Sequence, residues 1–183
     1  MSKPIYTKNG DTGDTSLYSG GRYSKSDEVF EVLGTLDELS ASLGLVKAPK
    51  NKEINTIIND LQEDLFAIGA FIANLKSPDV ELIDLTQKTE EMEKEMDEFS
   101  KLLPELTNFI LPGGSTTSAQ LHFSRAVCRR LERSLIAYLD RNELDNDNEL
   151  KKYFNRLSDL LFVLARYSNN KSGVHDIIWE GKS

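Results

Sequence analysis

The chain concentrates positive charge in one short run, Arg125-Ala-Val-Cys-Arg-Arg-Leu-Glu-Arg133, which holds four of its eight arginines. Because an α-helix turns once every 3.6 residues, Arg125, Arg129 and Arg133 would form a stripe about 12 Å long on one helix face. Like charges spaced this way destabilise a helix by about 0.2–0.5 kcal/mol per pair unless an anion lies across them. The planar guanidinium group suits phosphate and carboxylate, so the stripe indicates a polyphosphate site. The alternative is a solvated face whose arginines pair with acids on neighbouring helices.

A second candidate for phosphate binding is the run Thr7-Lys-Asn-Gly-Asp-Thr-Gly-Asp-Thr-Ser16 near the amino terminus. Glycine lets the backbone approach a ligand closely, hydroxyls donate to phosphate oxygens, and Lys8 and Lys25 add compact positive charge. The spacing is neither that of a Walker A loop nor that of a dinucleotide-binding fingerprint. The run therefore indicates either another kind of phosphate cradle or a disordered terminal tail.

Three polar residues elsewhere are weaker candidates. Asn155 interrupts an apolar run, and its amide could bind adenine or ribose or simply satisfy a neighbouring group. Asp37 and Glu38 could pair with the arginines or face water. Cys128 lies in the middle of a helical pattern next to Val127, which favours buried packing over nucleophilic chemistry.

Composition excludes several classes of function. A formal net charge of -8 and a pI near 4.9 argue against a general nucleic-acid binder or a protein that adheres to anionic membranes. One cysteine cannot form an intrachain disulfide, and two histidines are too few for a Cys/His zinc site. Neither His122 nor His175 follows a glutamate at the spacing of a di-iron bundle. No signal peptide or membrane span is recognised, so we expect a cytoplasmic protein.

Apolar residues recur at intervals of three and four through most of the chain, which predicts an all-α protein. Ser26 and Ser115 are the expected N-caps of the first and fourth helices. No strand signal is strong enough to favour an α/β fold. The predicted helices span about 27–47, 52–74, 84–103, 115–141 and 149–170.

These elements predict one domain over residues 1–183, built as a five-helix bundle. Residues 1–25 form an ordered Gly/Thr-rich loop, residues 27–170 form the bundle, and residues 171–183 form a carboxyl-terminal tail. The linker over residues 105–114 is unusually apolar and is expected to bury its large side chains.

Five motifs in this order resemble the ATP:cob(I)alamin adenosyltransferases of the propanediol-utilisation type. The resemblance covers residues from about 5 to 167 and implies a homotrimer of five-helix bundles with each active site between two subunits. The motifs are Tyr6-Thr-Lys-Asn-Gly-Asp-Thr-Gly13, Gly34-Thr-Leu-Asp-Glu-Leu39, Phe109-Ile-Leu-Pro-Gly113, the arginine run, and Asn155-Arg-Leu-Ser-Asp159.

The resemblance also implies roles for individual residues. ATP would lie between the amino-terminal loop of one subunit and the arginine helix of another, while Asp37 would pair with Arg125 at the boundary. Phe109 would pack beneath the corrin and exclude the lower axial base of the cobalamin. The residues implied around ATP are Thr7, Lys8, Asn9, Gly10, Thr15, Ser16, Lys25, Arg129, Arg130, Glu132, Arg133 and Asn155.

The activity implied is transfer of the 5′-deoxyadenosyl group of ATP to the cobalt(I) of a corrinoid, giving adenosylcobalamin and triphosphate. Arg129, Arg125 and Asp37 are the residues implied to support catalysis. Mg²⁺ would arrive on the ATP phosphates, with no dedicated metal site in the protein. A transient reductase and a client enzyme that uses adenosylcobalamin are the implied protein partners. The alternatives are a carrier or sensor that binds ATP or a corrinoid without chemistry, and an all-α interaction protein.

Overall fold

The computed structural model describes residue 6 and residues 8–17, 20–49, 51–75, 82–143 and 148–181. Within these ranges the chain forms five helices and four short strands, so the predicted helical architecture is confirmed. The helices are α1 Glu28–Leu45, α2 Lys52–Ile72, α3 Leu85–Ser100, α4 Thr116–Arg141 and α5 Asn148–Lys171. The strands are β1 Asp14–Leu17, β2 Gly20–Ser24, β3 Ile110–Leu111 and β4 Ile177–Ile178.

One of the two predicted N-caps is confirmed and the other is wrong. The Ser115 hydroxyl accepts a hydrogen bond from the Ser118 amide at 3.2 Å and caps α4. At α1 the N-cap is Asp27, whose side chain makes no capping bond. Ser26 lies in the turn that leaves β2, where its hydroxyl bonds the Ser24 hydroxyl at 2.7 Å and is therefore directed away from the helix.

Helix α5 carries the most deeply buried face of the bundle. It packs against α4 and α3, while α1 packs against α4 and α2. Its Phe154, Leu157, Leu161 and Leu164 have no exposed surface, as their helical spacing predicts. Burying one such side chain stabilises a fold by about 1.5–3 kcal/mol. The bundle therefore holds α4 and α5, the two helices with candidate site residues, in a rigid relation.

The strands form two small antiparallel pairs that the sequence analysis did not predict. β1 and β2 make a hairpin in which Thr15 lies opposite Tyr23. β3 and β4 join the apolar linker to the carboxyl-terminal segment, with Ile110 opposite Ile178. Within the described ranges, no helix is long and apolar enough to cross a membrane.

Acidic side chains crowd the groove between α2 and α3. Glu95 is half-buried there, and Lys88 forms an ion pair with the buried Asp64 at 2.9 Å. Burial, reinforced by the charges of Asp60, Glu91 and Glu98, raises the pKa of Glu95 to about 7, whereas Lys88 opposes the shift. A raised carboxyl pKa means that the folded state binds this proton more tightly than the unfolded chain.

We therefore expect the Glu95 carboxyl to lower the free energy of unfolding as the pH rises from about 4.5 to above 7. Glu95→Gln should raise the free energy of unfolding at pH 8 by about 1 kcal/mol, a value reduced for solvent screening, and should change it little at pH 5. Urea unfolding at the two pH values measures the difference. Glu90→Gln on the exposed face of α3 is the matched control. Equal stabilisation by Glu95→Gln at both pH values would contradict the assignment.

Candidate functional site

The arginine run lies on α4. Two of the three arginines of the predicted stripe face outward. Arg129 and Arg133 are exposed, and Arg125 is half-buried. The Arg133 Nη1 donates to the Arg129 carbonyl at 2.8 Å, and the Arg129 Nη1 donates weakly to the Ser158 hydroxyl at 3.5 Å. Neither guanidinium has a carboxylate partner among the residues that the structure describes.

The fourth arginine of the run behaves differently. Arg130 forms an ion pair with Glu38 of α1, so one of the two acids considered in the sequence does bind an arginine. Asp37, one residue earlier, is exposed and makes no hydrogen bond or ion pair within the described part of the chain. The interpretation of a fully paired solvated face therefore holds for Arg130 and fails for Arg129 and Arg133.

Arg125 is the most constrained member of the stripe. Its guanidinium carbon lies 5.9 Å from the centre of the Phe162 ring, and its buried Nε finds no acceptor among the described residues. Burial, followed by the charge of Arg129, lowers the pKa of Arg125. A buried donor without an acceptor is costly, and no described residue of this chain offsets that cost for the Arg125 Nε.

Two further polar side chains meet beside the stripe, where α4 faces α5. The Asn155 Nδ2 donates to the Glu132 Oε1 at 3.2 Å, and the Ser158 hydroxyl donates to the Asn155 carbonyl at 2.9 Å. The sequence analysis named Glu132 and Asn155 but did not name Ser158, which lies three residues along α5 from Asn155 and contacts Arg129. The one-turn spacing on a helix was the signal that could have identified Ser158.

The amino-terminal candidates gather in a cleft of about 460 Å³ beside the β1–β2 hairpin. The Lys25 ammonium donates to the Gly10 carbonyl at 2.8 Å, and the Lys25 amide donates to the Gly13 carbonyl at 2.9 Å. Gly13 adopts a φ of 89°, a conformation that favours glycine. Thr7 lies outside the described residues, and Lys8 is exposed with a φ of 61° but does not line the cleft. The residues that line it are Asn9, Gly10, Thr15, Ser16, Arg22 and Lys25.

Arg22 also lines the cleft, although the sequence, which places it just after the Gly/Thr-rich run, assigned it no role of its own. Its Nε pairs with the Asp14 carboxylate at 3.0 Å, and its Nη2 donates to the Thr12 hydroxyl at 3.2 Å. The first bond joins β2 to β1, and the second joins β2 to the turn that precedes β1, so both hold Arg22 against the amino-terminal segment. The hairpin brings Arg22 to the cleft, and this pairing was absent from the predicted secondary structure.

The cleft and the arginine stripe do not meet within one chain. The hairpin leads into α1, whose Glu28 pairs with Arg141 near the end of α4. Arg129 precedes Arg141 by twelve residues, which is about 18 Å along the helix axis. Across the described ranges, no hydrogen bond or ion pair joins residues 8–25 to the arginine run.

The apolar linker exposes most of its large side chains, so the expectation that it buries them is wrong for this chain by itself. Phe109 is 79% exposed and Leu111 is 46% exposed, although the backbone of the linker pairs with β4. The Phe109 ring meets the Trp179 ring edge-on at a centroid distance of 6.3 Å. Together these side chains form an apolar surface at the edge of the bundle.

Two other titratable groups near the site are structural. Cys128 is fully buried, its pKa is raised by burial, and its thiol donates to the Phe154 carbonyl at 3.4 Å, so packing is confirmed as its role. Burial and the charge of Arg125 lower the pKa of His122, while Asp176 opposes the shift. The lowered pKa favours the neutral form of the His122 imidazole.

The fold and the unpaired arginines are those of a helical-bundle protein with a surface suited to a polyanion. The chain belongs to the cobalamin adenosyltransferase family, which it matches over residues 5–168. It is 40% identical to the corrinoid adenosyltransferase MMAB of Bos taurus, over 96% of this chain and 76% of that protein. It is 37% identical to the cobalamin adenosyltransferase of Cupriavidus metallidurans, over 96% of this chain and 94% of that protein.

Solved structures agree with this assignment. A phenylalanine-to-histidine variant of the PduO-type ATP:corrinoid adenosyltransferase from Lactobacillus reuteri, complexed with cobalamin and ATP, superposes with a TM-score of 0.89. That match has 28% sequence identity and covers 98% of each chain. An arginine-to-lysine variant of an adenosyltransferase from the same organism, complexed with ATP, gives a TM-score of 0.86 at 29% identity, covering 96% of this chain and 100% of that chain.

Proposed function

We propose that this protein transfers the 5′-deoxyadenosyl group of ATP to the cobalt(I) centre of a corrinoid, yielding adenosylcobalamin and triphosphate. As a member of its family it is an enzyme, a corrinoid adenosyltransferase. The observation that carries the residue-level proposal is the pair Arg129 and Arg133, exposed and without a carboxylate partner among the described residues of a chain with net charge -8. An anionic triphosphate supplies the missing partner.

The chemistry accounts for the kind of residues at the site. Cobalt(I) attacks the ribose C5′ with its own electron pair, a cobalt–carbon bond forms, and the bond from C5′ to the triphosphate oxygen breaks. No protein base is required, because no proton is removed from the nucleophile. The protein's task is to align the two reactants and to neutralise the charge of the leaving triphosphate. Arg129, Arg133 and the lysines are suited to that task.

Mg²⁺ is proposed to enter with ATP. The described residues contain no group of three or more His, Cys, Asp or Glu side chains that could hold a metal ion. The phosphates themselves are strong oxygen ligands for Mg²⁺. The cleft residues Lys25 and Arg22 would then bind phosphate oxygens that the ion leaves free.

The ATP site is proposed to lie between two subunits of a homotrimer. Support comes from the absence, among the described residues, of any hydrogen bond or ion pair between residues 8–25 and the arginine run, since a second copy can bring its cleft to the stripe. The outer face of α1 and α4 is also suited to self-association, because it exposes small and apolar side chains in helical register. These are Ala41, Leu45, Ala119, Phe123 and Ala126.

Asp37 and Arg125 are proposed to pair across that boundary. Asp37 has no partner in the described part of its own chain, and the Arg125 Nε is buried without an acceptor. We expect Asp37→Asn and Arg125→Ala each to lower activity by about tenfold or more, because either change leaves an unpaired buried charge. The double variant should be no worse than the poorer single variant.

A double-mutant cycle on initial rates, with sedimentation to follow the oligomer, measures this coupling. Glu28→Gln with Arg141→Ala removes an exposed ion pair within one chain and should change the rates by less than about fivefold. Additive losses for Asp37 and Arg125 would show that the two side chains do not act as a pair.

Product analysis tests the reaction itself. Anaerobic incubation with ATP and chemically reduced cobalamin should give an alkylated corrinoid and inorganic triphosphate in equal amounts. Unchanged ATP would indicate a carrier or sensor, ADP would indicate a phosphotransferase, and failure to bind ATP would favour an interaction protein. A reductase that supplies cobalt(I) and a client that consumes the product are the proposed transient partners, and the cytoplasm is the proposed location.

A further inference from the structure

A buried polar cluster joins α5 to both the apolar linker and the carboxyl-terminal segment. It consists of Arg166, Asn169 and Asp176, whose sequence positions gave no sign of a common site. Arg166 is 8% exposed and Asn169 is 2% exposed. Such groups are expensive to bury unless their hydrogen bonds are made, and here each of them finds several partners.

Arg166 bridges the two segments directly. Its Nε pairs with the Asp176 Oδ2 at 2.8 Å, and its Nη2 donates to the Pro104 carbonyl at 2.8 Å. The side chains of the ion pair are only 9% and 16% exposed. Pro104 immediately precedes the linker and Asp176 precedes β4, so one guanidinium connects the approach to the linker with the carboxyl-terminal segment.

Asn169 holds the other end of the linker. Its Oδ1 accepts from the Ser115 amide at 2.9 Å, and its Nδ2 donates to the Asp176 Oδ1 at 3.0 Å and to the Gly113 carbonyl at 3.3 Å. A Cβ at Gly114 would lie 2.4 Å from the Asn169 Oδ1, so the backbone closes over this amide with no room for a side chain. The Asn169 carbonyl also accepts from the Val174 amide at 2.9 Å.

The cluster therefore fixes the position of Phe109. Both ends of the linker are anchored on α5, and the middle pairs with β4. The Trp179 amide donates to the Phe109 carbonyl at 2.8 Å, which completes the attachment beside the edge-on contact of the two rings. Since α5 also carries Asn155 and Ser158, the same helix sets the distance between the apolar surface and the arginine stripe.

We propose that Arg166, Asn169 and Asp176 are positioning residues that hold Phe109 and the carboxyl-terminal segment in the geometry needed to receive the corrinoid. This inference rests on the proposed adenosyltransferase function. The three side chains touch no reacting atom. They act through the linker, whose aromatic side chain is 79% exposed and contacts the Trp179 ring.

The first arm of the test uses no corrinoid, since Trp179 is the single tryptophan of the chain and reports on its own segment. Asp176→Asn should increase acrylamide quenching of Trp179 by about twofold and lower its fluorescence anisotropy, because a released segment moves on the nanosecond timescale. Far-ultraviolet circular dichroism should remain that of the wild type. Asn169→Ala, which removes the bonds to Gly113, Ser115 and Asp176, should have the same effect.

Asp64→Asn is the matched control. It also breaks a buried ion pair, with Lys88 between α2 and α3, and it should lower thermal stability while leaving Trp179 quenching unchanged. Unchanged quenching in both Asp176→Asn and Asn169→Ala would overturn the proposal. An equal increase in Trp179 quenching in the Asp64→Asn control would also overturn the proposal, because the increase would then follow from a general loss of stability.

The second arm measures function. Asp176→Asn should lower kcat for adenosylation of cobalamin supplied as cobalt(II) by about tenfold or more, with the KM for ATP changed by less than about twofold. Wild-type kcat in a variant whose Trp179 has been released would also overturn the proposal. If the wild type itself forms no adenosylated product, the proposed function fails, and the quenching arm still decides whether the cluster holds the segment.

Discussion

Replacing Arg129 with alanine should lower kcat for adenosyl transfer by about 10- to 100-fold, while the far-ultraviolet circular dichroism stays that of the wild type. A charge-assisted hydrogen bond to the leaving triphosphate contributes about 1.5–3 kcal/mol of binding free energy. Its loss would destabilise the transition state by a similar amount. The fold should tolerate the change because Arg129 is exposed and makes only a long bond to Ser158. Initial rates at saturating ATP measure the effect.

Arg129→Lys should restore little of this activity, because a point charge cannot reproduce two parallel guanidinium bonds. Arg141→Ala is the control on the same helix, since Arg141 is exposed and already paired with Glu28. The rate of adenosyl transfer by Arg141→Ala should differ from that of the wild type by no more than about fivefold. Near-wild-type turnover of Arg129→Ala at saturating ATP would remove Arg129 from the proposed site.

Phe109→Ala should strongly reduce turnover when cobalt(II) must be reduced on the enzyme, with little effect on thermal stability or ATP binding. Removal of the axial ligands makes cobalt(II) easier to reduce, and an apolar wedge beneath the corrin would exclude the lower base. A Phe→Ala change in a packed core costs about 3–5 kcal/mol of stability. Phe109 is 79% exposed, so the structure favours a small stability loss.

The cobalt(II) absorption and paramagnetic resonance spectra with ATP bound are the direct measurement. Wild type should show a four-coordinate, base-off signal that Phe109→Ala loses. Phe66→Ala on α2, where the phenylalanine is 84% exposed, is the matched control for loss of an exposed aromatic ring. A Phe109→Ala variant that keeps the four-coordinate signal but melts much earlier would show that Phe109 is structural.

The sequence was sufficient for the helices and for the outline of the arginine stripe. Helical hydrogen bonds join residues four apart, and apolar periodicity selects the buried face, so both signals are local. The predicted starts of α2 and α4 agree with the structure, and the predicted end of α3 is three residues too late. The same local geometry placed Arg125, Arg129 and Arg133 on one face before any packing was known.

Packing decided which of those arginines are free. Arg130 is only one residue from Arg129, yet it pairs with Glu38, which lies 92 residues away in the sequence. The hydroxyl of Ser158 reaches Arg129 for the same reason, because α4 and α5 pack side by side. Local periodicity cannot distinguish a paired cation from a free one.

Only the tertiary structure revealed the association between the linker and the carboxyl-terminal segment. Ile110 pairs with Ile178 across more than sixty residues, and neither strand is longer than two residues. A pairing that short has no periodicity of its own, and it lies beside the contacts of Arg166 and Asn169 that join both segments to α5. The sequence by itself determined the helices and the arginine face, since these depend on neighbours within one or two turns. The tertiary structure decided the free cations and the placement of Phe109, because both depend on contacts between segments distant in the chain.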